Sequence, residues 1–457
     1  MKRYLLLLLA AVFVMAMQTS CSKEDEQTVA ADDHCYISSF SIGMLKRDIH
    51  VTASNGQDST YSITYSGSFF PMIINNHKMT IENLDSLPTN THINAALATV
   101  TYTGGTLMYR YLSSVDWHEY NEKDSIDFRG PLEFAVYPTD GSAPRIYSVR
   151  LHVHQQEGDA FNWTRMADAD VLDALTERKL VSSGDKLFML GKLSNGTTAC
   201  AWRYTEKNGQ WTIQHASGAE QADCKTLYVA ASQLLVGTAD GAILTSSDGI
   251  NWTELCAPVS GRKLLGASRN RIYALENGAI CSTPDGGQTW TKETLDEDAA
   301  KLPVAQVNLT LIEQPNGYER LLLMGQTEGN SNQRADVWAK AWHVDEKEAS
   351  EVWMYYNQAA DNAWLCHLMD PLIVLPYDKG VIALGGATQS GQYEALQHIF
   401  YSSDYGLTWK RSNTLFLPAE LKGTGEAISA TVDSDFFVWL VVGNATYRGR
   451  LNKLGFK

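Results

Sequence analysis

A chain of 457 residues with a formal net charge of −15 and no basic run is long enough for two domains. It is a poor partner for nucleic acid, where affinity rests on neutralising phosphates. With 34 Gly, 21 Tyr and strand-like runs throughout, the composition fits an all-β protein better than a helical one. Its seven cysteines show no CxxC spacing and no metal or nucleotide motif appears, so neither a metal nor a cofactor is expected.

At the start, Lys2 and Arg3 precede the apolar stretch from Leu5 to Met17, which is too short to span a bilayer. Gln18-Thr19-Ser20-Cys21 puts a small residue before a cysteine, and Ser22-Lys23-Glu24-Asp25-Glu26 follows. The first segment resembles a bacterial lipobox, with Gln18 where Leu is usual. The second resembles the Lys-plus-acidic export signal of Bacteroidetes-type surface lipoproteins. The resemblance implies a signal peptide over 1–20, lipidation at Cys21 and surface display on the outer membrane, held in its lipid by several acyl chains. Residues 21–34 are acidic and polar and read as a tether.

Residues 35–155 alternate in the manner of strands but carry no repeat. Pro131 to Tyr137 and Arg145 to Val153 flank the turn Pro138-Thr139-Asp140-Gly141, which predicts a hairpin. It resembles the terminal hairpin of Ig-like β-sandwich modules, which implies a spacer domain over 35–155. His152 and His154 are expected on one solvated face of its last strand.

From residue 160 onward the sequence is governed by a phrase that occurs three times. It reads Ser246-Ser247-Asp248-Gly249-Ile250-Asn251-Trp252, Thr283-Pro284-Asp285-Gly286-Gly287-Gln288-Thr289-Trp290 and Ser402-Ser403-Asp404-Tyr405-Gly406-Leu407-Thr408-Trp409. A short polar side chain that bonds nearby N–H groups, with Gly beside it, is hairpin chemistry. These residues resemble Asp-box (BNR) repeats, the first copy being one residue short. The resemblance places each box at the blade periphery between the third and fourth strands. Asp248, Asp285 and Asp404 are therefore turn-formers rather than catalytic acids, and Trp252, Trp290 and Trp409 are packing plates.

Trp211 looks like a degenerate box, and the spacing of about 40 residues points to a β-propeller. The blades read as 180–213, 224–255, 262–293, 304–356, 372–411 and one beginning at Glu426. Phe161-Asn162-Trp163-Thr164 would supply the missing outer strand of the last blade. This gives a six-bladed propeller over 160–457, with seven blades as the alternative. The remaining cysteines, Cys35, Cys200, Cys224, Cys256, Cys281 and Cys366, read as buried free thiols. Overall the chain resembles a family of uncharacterised Bacteroidetes surface lipoproteins that join a lipid anchor, an Ig-like module and an Asp-box propeller. The family brings no established activity.

Propellers bind ligands at the hub, on loops that enter and leave the inner strands. The loop from Asn357 to Asp370 offers Asn357, Asp361, Asn362, Trp364 and Asp370, a mixture suited to stacking on and hydrogen-bonding to sugars. Trp338, Trp342 and Trp353 lie within strands and are expected between blades. The expected function is non-catalytic binding of a glycan or protein ligand. One alternative is a sialidase-like glycoside hydrolase, which implies an Arg cluster, a Tyr nucleophile with a Glu partner, an acid Asp and an Arg-Ile-Pro phrase. Only the misordered Pro144-Arg145-Ile146 is found, so no catalytic residue is assigned. The other alternative is a docking platform in an envelope complex.

Overall fold

Period-two runs become strands in both halves of the chain, and the polar clusters between them become turns. The computed structural model describes residues 32–52, 58–314, 317–329, 333–356 and 364–455. It divides into two units, Met1–Glu157 and Gly158–Lys457. Among the described residues no helix is long and apolar enough to cross a membrane.

Among the described residues the first unit is built from three sheets. Tyr36–Ile42 pairs with Ala98–Thr103, and Asp58–Ser66, Met44–Thr52 and Thr91–His92 form a second sheet. The third runs in the order Met72–Asn75, Thr80–Asn83, Arg145–Arg150, Leu132–Tyr137, Thr106–Tyr111 and His118–Glu119. The hairpin sets Leu132 opposite Val149 and Phe134 opposite Tyr147. These four residues are fully buried, in one core with Ile37 and Ile81. The strand expected to run through His154 ends at Arg150. Beyond it the Asn83 side chain takes over the ladder, accepting from the His152 N–H at 2.7 Å and donating to the His152 carbonyl at 2.9 Å.

Six four-stranded antiparallel sheets make up the second unit among the described residues. The first is Thr176–Ser183, Lys186–Lys192, Thr198–Tyr204 and Thr212–His215; the second is Tyr228–Ala230, Gln233–Gly237, Ile243–Ser246 and Thr253–Cys256. The third is Lys263–Ala267, Ile272–Glu276, Ala279–Thr283 and Thr291–Lys292; the fourth is Ala305–Glu313, Tyr318–Gln326, Asp336–His343 and Met354–Tyr355. The fifth is Met369–Tyr377, Gly380–Thr388, Phe400–Ser402 and Lys410–Arg411. In the sixth, Ile428–Val432, Val438–Val442 and Ala445–Leu451 are joined by Phe161–Arg165, from the opposite end of the unit. The first strand of each sheet touches the first strand of the next, and that of the sixth touches that of the first. The fold is all-β and propeller-like.

Closure is specific in register: Phe161 faces Leu451, Trp163 faces Gly449 and Arg165 faces Tyr447. The Trp163 indole donates to the Phe416 carbonyl at 2.6 Å. The outer strand of the fourth sheet is only Met354–Tyr355, so Trp353, expected within a strand, lies just before it. Before it the Trp353 N–H donates to the Thr294 carbonyl at 2.9 Å, tying that stretch to the linker ahead of the sheet.

Each repeated phrase lies between the third and fourth strands of its sheet. Asp248 Oδ1 accepts from the N–H groups of Ile250 and Asn251, both at 2.8 Å. Asp285 Oδ1 accepts from the Thr289 N–H at 2.9 Å, and Asp404 Oδ1 from the Thr408 N–H at 2.8 Å. Burial raises the Asp248 pKa, but donors from Asn251, Ile250 and Ser246 overcome it and hold the group at about 2. Burial likewise opposes and the Thr408, Ser402 and Leu407 donors prevail at Asp404, while the Thr289 hydroxyl and N–H hold Asp285 below the ordinary range. The turns also fasten neighbouring sheets. A Cβ on Gly406 would lie 2.5 Å from Leu322 Cδ2 of the fourth sheet, and Cys256 Sγ of the second sheet contacts the Gly286 carbonyl at 3.5 Å.

Trp338, Trp342 and Trp353 are buried, and Cys35, Cys200, Cys224, Cys256 and Cys366 are buried free thiols, with Cys281 half-buried. Between the third and fourth sheets lies a polar knot. Glu293 Oε2 accepts from Lys340 Nζ at 2.6 Å and from the Trp353 indole at 3.2 Å, while its other oxygen accepts from the Ser282 hydroxyl. Arg271 Nε donates to the Ser282 oxygen at 2.8 Å. Both ends of the Lys340–Glu293 pair are buried, so each charge depends on its partner. Lys340→Met is expected to cost about 3–5 kcal/mol, because it strands the Glu293 carboxylate. Urea unfolding of the variant beside the parent chain measures it, and a loss under about 1 kcal/mol contradicts the assignment.

Candidate functional site

The hub is occupied by side chains of the inner strands. Asn308 Nδ2 donates to the Leu372 carbonyl at 2.9 Å, Thr310 to the Val374 carbonyl at 3.2 Å and Arg178 Nη2 to the Ala427 carbonyl at 2.8 Å. Lys179 Nζ stands 4.4 Å from the centre of the Tyr228 ring. Burial brings the Lys179 pKa down to about 8 against the pull of Asp223. Tyr228 passes where a Cβ on Gly266 would lie 2.5 Å from its Cζ, and it packs with Leu309 of the fourth sheet. Only glycine accommodates that crossing.

A cavity of about 200 Å³ lies instead at the outer side of the fifth sheet. It begins with a main-chain contact. The Trp409 N–H, at the start of the outer strand, donates to the Trp364 carbonyl at 2.7 Å. The equivalent bonds elsewhere run from Trp252 to Ser217 and from Trp353 to Thr294, both at 2.9 Å. Trp364 thus occupies a linker position held elsewhere by a small polar residue. Its backbone is fixed, and the residue is 57% exposed.

Around the indole stand basic and aromatic groups. Lys410 Nζ is 5.7 Å from the centre of the Trp364 ring, and Arg334 Nη1 donates to the Leu365 carbonyl at 3.1 Å. Arg411 follows Lys410 on the short outer strand, and both are exposed. His367 lies edge-on to Tyr393 at 5.1 Å and tilted against Phe400 at 5.1 Å. It is only 8% exposed, and its Nδ1 has no hydrogen-bond partner among the described residues. Burial, and then the Arg334 cation, lowers its pKa to about 4. His398 nearby is lowered by burial and then by Arg411 and Lys422. Among the described residues nine line the cavity, three of them Arg or Lys and none acidic, so a chain of net charge −15 carries a local cluster of basic side chains here.

Residues 157–457 match the DUF6242 beta propeller domain, and residues 40–151 match the DUF6242 N-terminal domain, of unknown function. The chain belongs to the DUF6242 family. Among curated proteins none matches it in sequence. Similar solved structures include YCF48 from Cyanidioschyzon merolae, at 13% identity over 63% of this chain and 98% of that one, with a TM-score of 0.34. The SapL1 lectin in complex with alpha methyl fucoside is 12% identical over 60% and 91%, with a TM-score of 0.34. A DUF4623 family protein from Bacteroides eggerthii is 10% identical over 91% and 98%, with a TM-score of 0.31.

In this DUF6242 propeller the two described loop residues singled out by sequence, Trp364 and Asp370, do not line one cavity. Trp364 lines the rim cavity. Asp370 is the second residue of the inner strand of the fifth sheet and accepts from Gln306 Nε2 at 2.6 Å, away from that lining. The expected hub position of Trp364 is corrected by its main-chain bond to the outer strand. Asn357, Asp361 and Asn362 lie outside the described residues, as does Cys21. Sequence reading missed Arg334, His367, Tyr393, Lys410 and Arg411. The available signal was the basic pair that directly follows Trp409 in an acidic chain.

A Tyr–Glu pair does exist: the Tyr273 hydroxyl donates to Glu348 Oε1 at 2.5 Å. Burial, then the Glu348 and Glu293 charges, raises the Tyr273 pKa, the opposite of what a nucleophile requires. Tyr273 is fully buried between the third and fourth sheets.

His367 makes a pH prediction. Its pKa falls from 6.5 to about 4 on folding, so between these values the unfolded chain binds a proton that the folded chain does not. Its contribution is complete above the upper value and is lost as pH falls through the window. His367→Gln should flatten the decline in urea midpoint between pH 6.5 and 4 relative to the parent. Equal slopes in both proteins contradict this.

Proposed function

We propose that this protein is a lipid-anchored surface protein whose six-bladed propeller binds a glycan or protein ligand without chemistry, at the rim cavity beside Trp364. The observation that carries the reading is an exposed indole on a fixed backbone that shares a cavity lining with Arg334, Lys410, Arg411 and His367, whose buried Nδ1 has no hydrogen-bond partner among the described residues. Aromatic faces with a few convergent polar groups are what ligand sites are made of. The six-blade count rests on six sheets whose inner strands meet in cyclic order among the described residues. In this reading the Asp-box carboxylates are turn-formers, since their oxygens already accept from the backbone. Residues 35–155 serve as an Ig-like spacer, and the lipid on Cys21 holds the chain to the outer membrane.

Two measurements test this. On a glycan array the full chain should give hits that Trp364→Ala lowers at least tenfold, with a change in stability within about 0.5 kcal/mol because the residue is exposed. An array without hits, together with no partner recovered from cell envelope, counts against the binding role. Cys21→Ser should abolish incorporation of labelled palmitate and release the protein from the membrane fraction. Retention with undiminished label contradicts the anchor.

A further inference from the structure

We infer that the rim cavity takes a sugar unit carrying a carboxylate, so that the ligand is an acidic rather than a neutral glycan. The inference rests on the reading of this cavity as the ligand site and adds the chemical class. Among the described residues the lining supplies Arg334, Lys410 and Arg411 and no acidic side chain. Lys410 and Arg411 form no ion pair among the described residues. Lys410 Nζ stands 5.7 Å from the centre of the Trp364 ring, so a sugar ring stacked on that indole would meet the lysine head group at its edge.

The other groups select a sugar over a different anion. A volume of about 200 Å³ suits one ring rather than an extended chain. The exposed indole offers an apolar face for the C–H side of a pyranose. Among the described residues His367 Nδ1 lacks a partner at a nine-tenths buried position lining the cavity, and a sugar hydroxyl can bond it as donor or acceptor. A buried polar atom without a partner is costly, so this nitrogen favours a hydroxylated ligand over an apolar one. A peptide anion is disfavoured because the adjacent outer strand, Lys410–Arg411, is two residues long and gives little edge for strand addition.

The test uses the full chain with two matched pairs, trigalacturonate against its methyl ester and sialyllactose against lactose, and with a hexaglutamate peptide as a non-sugar anion. Binding is followed by tryptophan fluorescence and calorimetry. At least one acid should bind ten or more times tighter than its neutral partner. Raising NaCl from 0.05 to 0.5 M should shrink that ratio, since exposed charges are screened. Lys410→Met and Arg411→Met should each reduce the ratio, while Trp364→Ala should weaken both members of the pair. All three positions are exposed, and unchanged melting curves verify folding. Equal binding of acid and neutral forms that is lost in Trp364→Ala overturns the acidic class but leaves a glycan site at the rim. Binding of an acidic peptide and of none of the four sugars overturns the sugar class and leaves a ligand-binding role. Binding of no sugar and no peptide overturns the site itself.

Discussion

The pairing of Phe161–Arg165 with Ala445–Leu451 is the constraint on which the second unit depends. A four-stranded sheet with two apolar faces cannot bury both of them alone. Sheets arranged in a ring bury each face against a neighbour, but only if the first and last sheets also meet. The chain achieves this by giving its opening strand to its final sheet, so that unfolding either end exposes the other. The same pairing removes the sheet edges that an open series would present to other molecules. Trp163 is suited to this position, since its indole bonds the Phe416 carbonyl of the neighbouring connection.

Within the ring, neighbouring sheets are held together by polar groups as well as by apolar area. At the rim, the Asp turns commit their carboxylates to backbone donors and press small residues onto the preceding sheet. Midway out, Glu293 gathers Lys340, Trp353 and Ser282 from across the third and fourth sheets. At the hub, Asn308, Thr310 and Arg178 bond carbonyls of the adjacent inner strands. Such groups contribute modest net stability when satisfied, but they penalise any slipped arrangement that leaves them unpaired. They fix how each sheet meets the next, which apolar contacts alone specify less sharply.

The cavity grows out of this scaffold. A main-chain bond that at two other sheets fixes Ser217 and Thr294 fixes Trp364 at the fifth. A structural joint therefore carries a large exposed ring without any special backbone. Lys410 and Arg411 arrive on the strand that makes the joint, and Arg334 and His367 on segments beside it. The hub, by contrast, is filled by Lys179 and Tyr228, with Gly266 clearing the path of the ring. The cavity therefore lies at the edge of the fifth sheet and not among the inner strands.

The sequence by itself determined what depends on near neighbours. Ser-Asp-Gly-Trp turns, strand alternation and the repeat were legible because a turn closes within a few residues and its donors and acceptors are spelled out in order. The closing role of Phe161 to Thr164 was legible for a related reason: a sheet short of a strand and an orphan strand both show in the text. Tertiary structure alone decided where Trp364 stands, and that it keeps company with Arg334, His367, Tyr393 and Lys410 rather than with Asp370. The physical reason is that this grouping is set by bonds between distant segments, such as Trp409 to Trp364. No local propensity encodes which carbonyl an outer strand will find.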